Sequence, residues 1–273
     1  IGAITALAAC VDVAYSDELV HACIIDGLRL TKLERHIVPH GALPARSRDM
    51  RAALVVTESA FGMDGSRAPL DALLAQLRDG DVLLVDEAHA LGVAGVAGSG
   101  YAAALRDERV VVIGTLSKAL GSAGGFVAGP LEVVELLTST ARTFMFDTAL
   151  PPAIVAAAAR ALEIVRGSEG DERRARLHAV AARVRAELRA LGYDVRGEDG
   201  PSVVVVAGSE AAALELARGL EERGVYAPAI RPPTVPHGSC RVRFTVCAHH
   251  SDAQIEALLF AMRELRTAAC VSS

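Results

Sequence analysis

Four short apolar runs, Leu54–Thr57, Val82–Val85, Val110–Ile113 and Phe126–Ala128, alternate with Ala- and Leu-rich stretches at helical spacing, such as Leu70–Arg78. Runs this short and continuously apolar have no solvent face, so they predict strands of a mostly parallel sheet with helices on both faces. Aromatic residues make up only 4% of the 273 residues and Trp is absent. Ala, Val, Leu and Ile must therefore build the core, which suits an α/β fold and disfavours an aromatic-rich sandwich. A 52% hydrophobic content excludes a disordered chain.

Beyond Pro151 the texture changes. A helix is expected through Arg166, a charged helix over Asp171–Leu191, a strand at Ser202–Ala207 and a helix at Glu210–Arg223. An alternating strand, Arg241–Cys247, and a last helix, Asp252–Leu265, complete the pattern. The expectation is a large α/β domain over 1–160 and a smaller α+β domain over 161–273. Ile1 opens inside an apolar helical pattern with Ile4 and Leu7, which suggests that a segment precedes it.

A net charge of −5 disfavours a nucleic-acid binder, which needs a surplus of Lys and Arg. The five cysteines are scattered without C-x-x-C spacing, which reads as reduced thiols in a cytoplasmic protein and gives no metal site. No apolar run approaches the roughly 20 residues of a membrane span.

Only Lys32 and Lys118 are lysines, so arginine supplies nearly all positive charge. Lys32 sits in the charged segment Lys32-Leu33-Glu34-Arg35 and reads as solvated. Lys118 follows a buried-type strand in Gly114-Thr-Leu-Ser-Lys-Ala-Leu-Gly-Ser. Arg cannot supply a deprotonated amine, whereas a desolvated Lys can, so Lys118 reads either as a Schiff-base lysine or as a structural one. In Val82-Leu-Leu-Val-Asp-Glu-Ala-His a strand delivers Asp86 to the C-terminal edge of the sheet, with His89 three residues on. The same four letters, Asp-Glu-Ala-His, occur in helicase ATPases, but the G-x-x-x-x-G-K-[ST] phosphate loop is absent from this sequence. A carboxylate, a histidine, a lysine and the hydroxyls of Thr115 and Ser117 on neighbouring strand ends are instead the set that pyridoxal 5'-phosphate requires.

These motifs resemble those of the α-oxoamine synthases, a family of fold-type-I pyridoxal-phosphate enzymes. The matching stretches run in family order through nearly the whole chain: Ser16-Asp-Glu-Leu-Val-His, Val55-Val-Thr-Glu-Ser, Leu84-Val-Asp-Glu-Ala-His, Gly114-Thr-Leu-Ser-Lys, Thr148-Ala-Leu-Pro-Pro, Ile230-Arg-Pro-Pro-Thr and Arg241-Val-Arg-Phe-Thr. The resemblance implies that His21 stacks on the cofactor ring, Asp86 pairs with the pyridinium and His89 reaches the ring hydroxyl. It implies that Thr115 and Ser117 hold the phosphate and Lys118 forms the Schiff base. It makes Arg243 and Thr234 substrate ligands, although Arg241 shares a strand face with Arg243 and the two are easily confused. It also implies a homodimer with the site at the subunit interface, Thr148 reaching the phosphate from the neighbouring subunit. The implied reaction is decarboxylative condensation of L-alanine with a pimeloyl thioester in biotin biosynthesis. Sister synthases using glycine or other acyl donors are the alternative, and a non-catalytic paralogue a remoter one.

The sequence departs from the family in places. Phe61-Gly62-Met63-Asp64-Gly65 lacks the family's serine at Gly62, which Ser59 could replace, and Asp147 stands where relatives carry Ser or Thr. The loop from His40 to Arg51 and the connection from Ser99 to Arg109 look short.

Overall fold

The computed structural model describes residues 1–44 and 52–271, and the side chains of residues 1–44 and 52–267. Most of the His40–Arg51 loop lies outside the described residues. The chain forms two compact units, one of residues 1–61 and 67–170, the other of residues 62–66 and 171–273. The division thus falls at 170 and not at 160, inside a continuous helix, and a short segment around Gly62 folds with the second unit.

The first unit is built on six strands: β1 (Val13–Asp17), β2 (Glu34–Val38), β3 (Ala53–Glu58), β4 (Val82–Asp86), β5 (Val110–Thr115) and β6 (Gly125–Ala128). Their order is β2-β1-β3-β4-β5-β6. All neighbours pair parallel except β6, which runs antiparallel to β5. The helices are α1 (Gly2–Leu7), α2 (Ala22–Arg29), α3 (Leu70–Ala75), α4 (Leu131–Thr140), α5 (Arg142–Met145), α6 (Pro152–Arg166) and α7 (Ser168–Ala190), the last continuing into the second unit.

Alternate residues of the central strands enter two separate cores. Val13, Tyr15, Val55, Leu83, Val85 and Val110 pack with Leu70 and Leu73 of α3. Ala14, Leu54, Val56, Leu84 and Val111 pack with Ile4 and Leu7 of α1 and Ile24 and Leu28 of α2. Two buried faces require apolar residues at consecutive positions, which is why these strands read as unbroken runs.

The second unit holds an antiparallel sheet ordered β7-β8-β10-β9, with β7 (Asp194–Arg196), β8 (Ser202–Gly208), β9 (Ala229–Ile230) and β10 (Cys240–Thr245). Helix α8 (Glu210–Glu221) packs against β8 and β10, and against the final helix α9 (Asp252–Val271). Ser209 caps α8, its hydroxyl accepting from the Ala212 amide at 3.1 Å. Arg185, buried within the charged helix α7, is held by one Nη donating to the carbonyls of Asp199, Gly200 and Ser202. No helix among the described residues is long and apolar enough to cross a membrane.

Candidate active site

Because β3, β4 and β5 run parallel, their C-terminal ends reach the same edge of the sheet, where α/β folds bind ligands. They deliver Glu58, Asp86 and Thr115 there, and the segment after β5 adds Lys118. Together with His21, Cys23 and His89 these residues line a cavity of about 300 Å³ within the first unit. His21 occupies the position before α2, its Nδ1 accepting from the Cys23 amide at 3.2 Å. That bond leaves the neutral ring's proton on Nε2.

Lys118 Nζ and His89 Nε2 lie 2.9 Å apart. Lys118 is exposed, so the small residues around it do not provide the desolvation expected from the sequence. Asp86 is 9% exposed and its Oδ1 accepts from the Ala88 amide at 2.8 Å. Burial pushes the Asp86 carboxyl above the ordinary range, while the Ala88 amide and then Lys118 oppose the shift. Thr115 and Ser117 form one hydroxyl cluster. Their oxygens are 2.7 Å apart, and the Ser117 amide donates to Thr115 Oγ1 at 3.2 Å. Burial also pushes the Cys23 thiol up, favouring its neutral form.

Glu58 and Cys23 were not singled out from the sequence, yet both line the cavity. Ser59 does not replace the missing serine at Gly62. Ser59 is 1% exposed, and its hydroxyl donates to Glu87 Oε2 at 2.7 Å. Thr148 is exposed and outside the cavity lining, its amide donating to Asp147 Oδ1 at 2.8 Å.

Arg243 and Thr234 belong to the second unit. Burial separates the two arginines that alternation leaves indistinguishable. Arg241 is 5% exposed and donates to the carbonyls of Ser239 and Met63. Arg243 is half-buried and donates through Nη1 to the Gly62 carbonyl at 3.2 Å. Its Nε is buried and has no hydrogen-bond partner among the described residues. Exposed Thr234 sits in a turn, its amide donating to the Arg231 carbonyl at 3.0 Å.

The chain is similar to proteins named 8-amino-7-oxononanoate synthase. It is 48% identical to that of Anaeromyxobacter dehalogenans strain 2CP-C over 264 residues, which cover 93% of this chain and 66% of the relative. It is 42% identical to that of Geobacter sulfurreducens over 273 residues, covering 97% of this chain and 70% of the relative. Against the first of these relatives the chain spans just under two thirds of their length. Among solved structures, the Sphingomonas wittichii serine palmitoyltransferase superposes with a TM-score of 0.87 at 31% identity, over 99% of this chain and 71% of that one. The 8-amino-7-oxononanoate synthase from Francisella tularensis superposes with a TM-score of 0.82 at 25% identity, over 98% of this chain and 80% of that one. The family model for aminotransferase class I and II matches residues 1–262, spanning both units and every site residue described above. The chain belongs to the aminotransferase class I and II family.

Proposed function

We propose that this chain carries the catalytic lysine and the cofactor pocket of a pyridoxal-phosphate-dependent 8-amino-7-oxononanoate synthase, condensing L-alanine with a pimeloyl thioester and releasing coenzyme A and CO2. The observation that carries this reading is the meeting of Lys118, Asp86, His89 and Thr115 around one cavity. The donor set fits the cofactor: an amine for its carbonyl, a carboxylate for its ring nitrogen and a hydroxyl cluster for its phosphate. Bound there, the cofactor would supply an electron sink for negative charge developing at the α-carbon of alanine.

The protein's own groups do the rest. Lys118 would hold the cofactor, and its amine would also be the group that takes and returns the α-proton. Asp86 would keep a proton on the ring nitrogen, His89, which lies beside Lys118, would hold the ring hydroxyl, and His21 would stack on the ring. Thr115 and Ser117 would hold the phosphate. Arg243 binds the alanine carboxylate through its guanidinium, with Thr234 nearby in sequence as a further substrate ligand. The enzyme is a cytoplasmic homodimer in which Thr148 serves the partner's pocket. Exposed Phe144, Phe146 and Leu150 around Thr148 support a subunit contact there.

Coenzyme A release by the full-length enzyme, measured with alanine or glycine across acyl chain lengths, tests the assignment. Pimeloyl-CoA with alanine is expected to exceed glycine by roughly 10–200-fold in kcat/KM, the range one methyl group allows. Absence of alanine-dependent release from pimeloyl-CoA and from the pimeloyl carrier protein alike rejects the assignment, and a preference for glycine points to a sister synthase. Arg243→Lys loses a charge-assisted fork and is expected to raise the KM for alanine roughly 10–100-fold. Arg241→Lys, at a buried position bound to backbone carbonyls, is expected to lower Tm and leave that KM near wild type.

A further inference from the structure

The cavity wall holds a second carboxyl that the reaction above does not use. Glu58 and Asp86 are register partners on the adjacent parallel strands β3 and β4. Their side chains therefore leave the sheet on the same face, from strands roughly 4.8 Å apart. Both line the same cavity, and the residues are 6% and 9% exposed. Two carboxylates this close and this shielded cannot both ionise without a large penalty.

Their surroundings differ. Asp86 accepts a short bond from the Ala88 amide, and Lys118 and His21 oppose the effect of its burial. Around Glu58 stand Asp86 from β4, Asp17 from the end of β1, Lys118 from beyond β5 and the backbone amide of His21. The titratable groups His21, Cys23 and His89 share the cavity with it. Two of those neighbours are carboxyls, so Glu58 is the costlier of the pair to ionise.

We propose that Glu58 is a positioning residue that carries the proton of this carboxyl pair, leaving Asp86 as the ionised partner for a cationic ring nitrogen. The Glu58 carboxyl is accordingly pushed up to about 8, first by desolvation and then by the charge on Asp86. Were Glu58 ionised, its charge would raise the proton affinity of Asp86 and neutralise the group that must remain anionic. The role toward the ring rests on the pyridoxal-phosphate reading above, whereas the shared proton follows from the pocket alone.

The sign of the pH dependence follows from linkage. The folded protein keeps a proton on Glu58 that the unfolded chain loses near its ordinary value of 4.5. Glu58 therefore costs stability increasingly as pH rises from about 4.5 to about 8, and no more above that. Glu58→Gln removes this cost, so its Tm advantage over wild type should be near zero at about pH 5. It should grow to on the order of 5 °C by about pH 8 and then level off. The test is a Tm series on the full-length enzyme with and without pyridoxal phosphate, joined to a pH titration of the bound cofactor's absorbance. A spectral step near pH 8 in wild type should be absent from Glu58→Gln and move to lower pH in Asp86→Asn. A parallel Tm profile in Glu58→Gln, or a step that persists in it, overturns the proposal. If Glu58→Gln does not fold, Asp86→Asn decides alone, and a step left near pH 8 rejects the pair. An enzyme that binds no pyridoxal phosphate defeats the functional reading instead, and the thermal profile still decides the proton's place.

Discussion

Lys118→Ala should abolish alanine-dependent coenzyme A release, a loss of roughly 10^4-fold or more, and remove the visible absorbance of the bound cofactor. Two contributions vanish with one amine: the covalent hold on the cofactor and the general base for the α-proton, the latter alone worth about 10^2–10^4-fold. Lys118→Arg separates chemistry from charge. It keeps a cation beside His89 but cannot offer a deprotonated nitrogen, so it should be as inactive as the alanine variant. Lys32 is exposed and provides the control, since Lys32→Ala should retain both turnover and absorbance. Turnover or the absorbance band surviving in Lys118→Arg would remove Lys118 from the catalytic position.

The residues that could be read from sequence are those whose burial or chemistry leaves few choices. β3, β4 and β5 are apolar at consecutive positions because both faces are buried, so their runs stood out. β1 and β2 did not. β1 carries the polar residues Ser16 and Asp17 in buried positions, and Asp17 is satisfied by the Leu19 and Gly41 amides. β2 lies at the sheet edge and is mostly exposed, so Glu34 and Arg35 read as part of a solvated segment. The reversal of β6 against β5 also left no trace in the hydrophobic pattern. At the site, Asp86, His89, Thr115 and Lys118 were legible because a parallel strand ending in a polar residue delivers it to the binding edge. The same signal exists at Glu58, the last residue of the apolar strand β3, where it lies inside a longer motif. The resemblance singles out Arg243, and burial distinguishes it from Arg241, which alternation along a strand does not.

Glu87→Ala should be the most damaging substitution outside the cavity, lowering stability by about 3 kcal/mol. Glu87 follows Asp86 directly, yet it serves the other side of the strand end. It is 0% exposed, and its two oxygens hold different segments. Oε1 accepts from the Ala102 amide at 2.5 Å and Oε2 from the Ser59 hydroxyl at 2.7 Å. The loop before Ala102 wraps so closely that a Cβ at Gly100 would stand 2.5 Å from Oε2. Alanine leaves two buried donors without acceptors, each costing about 1–3 kcal/mol, and opens a void beneath that loop. At roughly 2–4 °C per kcal/mol, Tm should fall by about 6–12 °C. Glu87→Gln discriminates hydrogen bonding from charge. Its amide oxygen can still accept from Ala102, and its NH2 can donate to the rotatable Ser59 hydroxyl, so both bonds survive. Burial already pushes the Glu87 carboxyl above the ordinary range, so removing its charge costs the folded state little. The glutamine variant should therefore melt within about 3 °C of wild type, or about 1 kcal/mol. An alanine variant as stable as the glutamine one would show that the Gly95–Ala102 loop is held by its own turns, with Glu87 contributing nothing to it.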